Sequence, residues 1–174
     1  MKMIKRMTAL AVITGAALAA TPATAAAVSV TGAKPVAKVT ILKPLVLTRT
    51  SDLDFGTILL PATVSGTLNV AVNQAGAMTC TTGLTCATAA ASVGGYNVKG
   101  TNKAVVLITA PDVTMNNSSN TGSITVKLDA PTSITLTSSG APGDNFAVGG
   151  NFDITSATTD GVYSGDMNVT VDYL

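Results

Sequence analysis

The 174-residue sequence predicts an all-β protein, an antiparallel β-sandwich built from short strands. Three observations carry that expectation. Apolar and polar residues alternate with period two in one run after another. Clusters of Gly, Pro, Asn, Asp and Ser separate the runs. No window beyond the first 25 residues shows an apolar helical stripe between capping residues. Many short strands joined by polar turns are the pattern of a sandwich. A chain of this size buries roughly 68% of its unfolded surface, enough for one core. Aromatics are only 3% of the residues, so that core must be built from Val, Ile, Leu and Ala.

The chain opens on a positive segment, Lys2, Lys5 and Arg6, followed by the uncharged apolar run Met7–Ala20. Pro22 then breaks the run, and Ala23-Thr24-Ala25 has the small-x-small form of a cleavage site. This three-part order is that of a secretory signal peptide. The run is shorter than the ~20 residues that a spanning helix needs. Residues 1–25 are therefore expected to be removed on export, with cleavage after Ala25, Ala26 or Ala27. No Cys follows the cleavage site to receive a lipid. The protein is expected to pass the inner membrane to the periplasm and then the cell surface or exterior. Residues 26–43 are then an N-terminal extension or first strand, and residues 44–174 the sandwich domain.

The strands can be read in order. Val36–Thr48 is a β-branched run carrying Val39, Ile41, Leu45 and Leu47, interrupted at Pro44. A Pro there marks an edge or a break between two strands. Leu68, Val70 and Val72 alternate with Asn69 and Ala71. Ala104–Thr109 is more continuously apolar, as in a strand buried on both faces. Ile124, Val126 and Leu128 alternate with Thr125 and Lys127, and Ile134 and Leu136 with Thr135 and Thr137. Phe146 with Val148, and Phe152 with Ile154, predict two short strands around Gly149-Gly150. In the last run Tyr163, Gly165, Met167, Val169, Val171 and Tyr173 share one parity. Ala87–Ala91 has room for one helical turn, confined between Cys86 and Gly94-Gly95.

Composition excludes several functions. Ten Lys and Arg against nine Asp and Glu leave a net charge of +1, with no basic footprint for nucleic acid. Without residues 1–25, seven basic residues face nine Asp, a net of −2. So weak a charge offers little resistance to self-association. The chain has neither His nor Glu, so the commonest general acid–base groups and zinc ligands are missing. A Ser nucleophile has no His partner, and no Ser/Lys spacing replaces it. Catalysis, a cofactor and a metal are therefore not expected.

Few residues remain as candidates for chemistry. Cys80 and Cys86 enclose a short Gly-containing loop and read as a disulfide in an exported protein. A redox or metal-binding pair would want C-x-x-C spacing or further ligands. Asp52 and Asp54 flank Leu53, and two carboxylates so placed can hold Ca²⁺ or work as an acid–base pair. A calcium site needs several more oxygens, so a turn entering a strand is the better reading. Asn116-Asn117-Ser118 and Asn168-Val169-Thr170 match glycosylation acceptors but read as a turn and a strand. Gly94-Gly95 and Gly149-Gly150 have no helix after them to cradle a phosphate.

Two segments carry a resemblance. One is Pro44-Leu45-Val46-Leu47 followed by Asp52-Leu53-Asp54-Phe55-Gly56-Thr57-Ile58. The other runs from Gly161-Val162-Tyr163-Ser164-Gly165 to Val169-Thr170-Val171-Asp172-Tyr173-Leu174. Together they resemble a bacterial secreted family known as domain of unknown function 4402, over most of the chain after residue 25. They are also distantly similar to the spore coat U-type and archaic chaperone–usher pilins. Those share a Leu-x-Phe-Gly element near the start, here Leu53-Asp54-Phe55-Gly56, and a Gly-x-Tyr-Ser opening to the last strand.

The pilin resemblance implies an immunoglobulin-like sandwich that is incomplete, lacking its last strand. A periplasmic chaperone fills the groove, an outer-membrane usher assembles the fibre, and the next subunit's N-terminal extension replaces the chaperone. In pilins the terminal strand carries a Gly fourteen residues from its end and a penultimate Tyr. Gly161 and Tyr173 occupy those places, with Tyr163, Met167, Val169 and Val171 as the apolar positions between them. Two segments are donor-strand candidates, Val28 with Val30, and Ala37, Val39 and Ile41. Each can instead pair within its own subunit. The chain departs from the pattern in its Cys, which pilins of these families often place in the first strand. The expected function is an exported structural subunit of a fimbria, pilus or similar surface assembly. The alternative is a monomeric secreted or periplasmic binding module, an adhesin or carbohydrate-binding domain.

Overall fold

A computed structural model describes residues 26–174 of the chain. The expected export signal, residues 1–25, lies outside the described residues. Residues 26–39 belong to a unit separate from that of Thr40–Leu174. They contain no strand and are exposed throughout.

The second unit is all-β, with a single 3₁₀ turn at Thr88–Ala90 inside the Ala-rich stretch. Thirteen strands follow one another: β1 Val46–Ser51, β2 Ile58–Leu59, β3 Leu68–Val72, β4 Met78–Cys80, β5 Thr85–Cys86, β6 Gly94–Lys99 and β7 Val105–Thr109. Then come β8 Val113–Asn117, β9 Ser123–Asp129, β10 Ser133–Thr135, β11 Asp144–Ile154, β12 Tyr163–Ser164 and β13 Thr170–Tyr173. Every pairing between them is antiparallel. The large sheet runs β1-β6-β11-β9-β8-β12, with β3 and β4 added on the flank of β11. A smaller sheet, β10-β7-β13, closes over part of it, and β2 pairs with β5 alone.

Two apolar clusters form the core. Val98, Phe146 and Val148 of the large sheet meet Val106 and Ile108 of the smaller one, and Leu136 just past β10, in the first. Val70, Val72, Ile124, Val126, Phe152 and Ile154, all from the curl of the large sheet, make the second with Phe55. Leu128 packs against both. Alternation places each of these side chains inward, as the period-two pattern predicts. The seven largest fully buried side chains are Leu136 and six Val, the aliphatic core that the composition demands.

Strand β11 corrects one expectation. Instead of two short strands around Gly149-Gly150, it is one strand of eleven residues. Its first half pairs with β6 and its second with β3. The glycines let it pass from one cluster to the other, because any Cβ at Gly149 would overlap the Val72 carbonyl. A Cβ at Gly150 would sit 2.9 Å from Val126. The glycines thus mark close backbone approach rather than a break.

Two further expectations are corrected. Strand β7 is not buried on both faces: Val106 and Ile108 are buried, but Leu107 is 42% exposed. Among the described residues, only one parity of β7 is covered. The run from Val36 forms strand only from Val46 onward, after Pro44. Val36, Val39 and Ile41 are exposed instead.

Candidate functional site: an open seam between the first and last strands

Among the described residues, strand β1 pairs only with β6, and β13 only with β7. Each therefore has one edge whose backbone groups meet no strand. Both edges border the first core cluster. Leu45 and Leu47 from the β1 side, and Met167, Val169, Val171 and Tyr173 from the other, all pack against it while remaining half-buried. Val171 stands opposite Ile108 and Tyr173 opposite Val106 in the β13–β7 ladder, so both face inward. An antiparallel sandwich whose two edges face one core without a ladder has a seam there.

One end of the seam is pinned. The Tyr173 hydroxyl donates to the Lys43 carbonyl at 2.6 Å and accepts from the Thr101 N–H at 2.8 Å. The Lys43 N–H donates to the Thr101 hydroxyl at 2.6 Å, and its ammonium reaches the Ser139 carbonyl. This clasp holds the chain just ahead of β1 to the end of β13. Toward the other end lies a small apolar cavity of about 30 Å³ lined by Leu53, Phe55, Met115, Leu128 and Met167.

The final run is not one long strand. Tyr163–Ser164 pairs with β8 and Thr170–Tyr173 with β7, and no ladder joins the residues between. Of the expected parity set, Tyr163, Met167, Val169, Val171 and Tyr173 are half-buried with exposed polar neighbours, whereas Gly165 is exposed. Gly161 sits where a Cβ would overlap the Asn117 side chain, with φ at +142°. Asn117 in turn organises its loop, accepting from the Ser119 and Asn120 N–H groups and donating to the Asp160 carbonyl. Only glycine combines that φ with so close an approach.

The Leu53-Asp54-Phe55-Gly56 element is a structural lock. Phe55 is buried and meets Phe152 edge to face, ring centroids 4.9 Å apart. The Asp54 carboxylate accepts the Gly56 N–H at 2.7 Å, and the Asp54 backbone bridges to Ser92. Asp52 pairs with Arg49. Both carboxylates thus serve the turn that follows β1. Cys80 and Cys86 form the expected disulfide, tying β4 to β5.

The donor candidates are divided between the two units. Val28 and Val30 are 96% and 61% exposed, and Val39 and Ile41 81% and 82%. None lies in a strand. What the sequence alone did not point to is Lys43 and Thr101, whose part in the clasp depends on backbone groups brought together by the fold. Among the described residues, no helix is long and apolar enough to cross a membrane.

A profile for the family described as Domain of unknown function (DUF4402) matches residues 45–173. The match thus begins two residues after Lys43 and ends with β13. Comparison with curated proteins and with solved structures returned no match.

Proposed function

We propose that this chain, which belongs to the DUF4402 family, is an exported structural subunit of a fimbria or similar surface fibre. It polymerises by strand exchange, and no catalysis is involved. The observation that carries this reading is the seam: two unpaired edges over one core, walled by six half-buried apolar side chains. An added strand would satisfy both edges and send alternate side chains into the seam. Each Val or Leu so buried contributes about 1.5–3 kcal/mol. A few such pockets make a durable joint. The chain's low net charge adds little repulsion between copies.

The clasp bears on which segment is donated. Lys43 is held to its own domain through three hydrogen bonds. If residues 37–41 entered another copy, Leu42 alone would separate them from that anchor. One residue spans about 3.5 Å, too little to leave one domain and enter another. Residues 28–32 leave ten residues of connection, a reach of up to about 35 Å. Val28 and Val30 are therefore the donor we favour, with Gly32 at the same parity. On this reading a periplasmic chaperone fills the seam before assembly and an outer-membrane usher orders the exchange.

The test uses material sheared from the native cell surface. It is run on SDS gels with and without boiling, and the same sample is imaged by negative-stain electron microscopy. The expected result is a ladder of oligomers that collapses on heating, together with visible fibres. A single monomer band without fibres would overturn the reading and leave a sandwich that completes itself.

A further inference from the structure

We propose that the gap between β9 and β11 is a binding site for a small neutral carbohydrate, one or two sugar residues in size. The inference stands apart from the assembly reading, since no residue of the seam lines this gap.

The gap arises from the sheet topology. Strands β9 and β11 form a ladder only from Asp129↔Gly149 to Lys127↔Asn151. Beyond that point β9 stays with β8 through Ser123, while β11 stays with β3 through Ile154. Their partners pull the two strands apart. The opening is a cavity of about 300 Å³, closed at its far side by Thr155, Thr158 and Tyr163. That is the lower end of the size range of ligand pockets.

Its shape selects a compact ligand. At Lys127–Asn151 the strands are still paired, at the ordinary spacing of about 4.8 Å. The gap therefore tapers to nothing, and an added strand, which needs twice that spacing along its whole length, does not fit. Its chemistry selects a neutral, hydroxyl-rich ligand. A strand bonds each neighbour through one edge, so the second edge of β9 over Ser123–Val126 faces the gap. That edge has no hydrogen-bond partner among the described residues. Thr125, Lys127 and Asn151 line the walls, and their side chains make no hydrogen bond among the described residues. Asp153 uses one oxygen to accept from Asn69 at 2.8 Å, which leaves the other for a ligand. One ammonium and one carboxylate balance, so neither an anion nor a cation is favoured. Tyr163 adds ring surface for the apolar face of a sugar, its hydroxyl held by donating to the Thr159 carbonyl at 2.8 Å.

The test is heteronuclear NMR of the chain lacking residues 1–25. It is titrated to millimolar concentration with mannose, lactose and the dimer of N-acetylglucosamine. Inorganic phosphate and a neutral pentapeptide are titrated in parallel. The expected result is that at least one sugar shifts the amide signals of Thr125–Lys127 and Asn151–Asp153 and leaves those of β13 in place. Asn151→Ala and Lys127→Ala should each weaken that sugar about tenfold, the loss of one good hydrogen bond. Their melting temperatures should match the parent's, because neither side chain has a hydrogen-bond partner among the described residues. The proposal is overturned if no sugar moves these signals, or if phosphate or the peptide moves them and the sugars do not. It is equally overturned if a sugar binds but both variants bind it as tightly as the parent.

Discussion

Single aromatic side chains do much of the organising in a chain that has six Phe and Tyr. Phe55 and Phe152 join the turn after β1 to the second half of β11. Tyr96 and Phe146 stack across β6 and β11, centroids 5.4 Å apart. Tyr173 puts its ring against the core and its hydroxyl into the clasp. Tyr96 also gives the fold a pH dependence. Burial pushes its phenol above the usual value of 10.0, and Asp52 adds to the shift while Arg49 opposes it. The unfolded chain therefore loses this proton first as pH rises. The contribution is intact below pH 10.0 and is lost as pH climbs through the folded value. Replacing Tyr96 with Phe removes it. Urea midpoints measured from about pH 9 upward should fall more steeply in the parent than in Tyr96→Phe. Parallel curves would show that Tyr96 ionises alike in both states.

At the scale of elements, alternation was legible wherever one face of a strand is covered. Leu68, Val70 and Val72 on β3, and Ile124 and Val126 on β9, are all buried as the pattern requires. It failed where the surroundings decide. The apolar run of β7 predicts burial on both faces, yet Leu107 lies on the parity of that strand left uncovered among the described residues. The glycines of β11 read as punctuation but mark the crossing of two backbones. Strand β13 is the element on which the assembly reading depends. Val169 and Val171 face the seam, whereas Thr170 points away from it. Aspartate at position 169 or 171 places an unpaired charge on an apolar wall. Val169→Asp and Val171→Asp should abolish the heat-labile ladder, and Thr170→Asp should leave it intact. Normal assembly of both Val variants would remove β13 from the account.

At the scale of the molecule, the seam and the N-terminal segment are complementary in kind. One lacks a strand, and the other carries exposed alternating Val residues outside any strand. Deleting residues 26–34 should then give a subunit that accepts a strand and donates none. Mixed with the intact chain, it should cap fibres and shorten them, with the sandwich still showing a cooperative melt. Fibres of normal length from the deleted chain alone would mean that the donor lies elsewhere, for example at residues 37–41.

Class, strand parity and the disulfide were determined by the sequence alone. Period-two patterning acts on neighbours along the chain, and the Cys80–Cys86 loop is local. The Leu53-Asp54-Phe55-Gly56 element was legible as a motif, although its role as a core lock was not. Only the tertiary structure decided which edges stay unpaired, where β11 changes partners, and that Lys43, Thr101 and Tyr173 meet. The physical reason is range. An inward parity needs only a covered face, whereas an open edge is defined by the strand that is not beside it. That depends on every other pairing in the sheet.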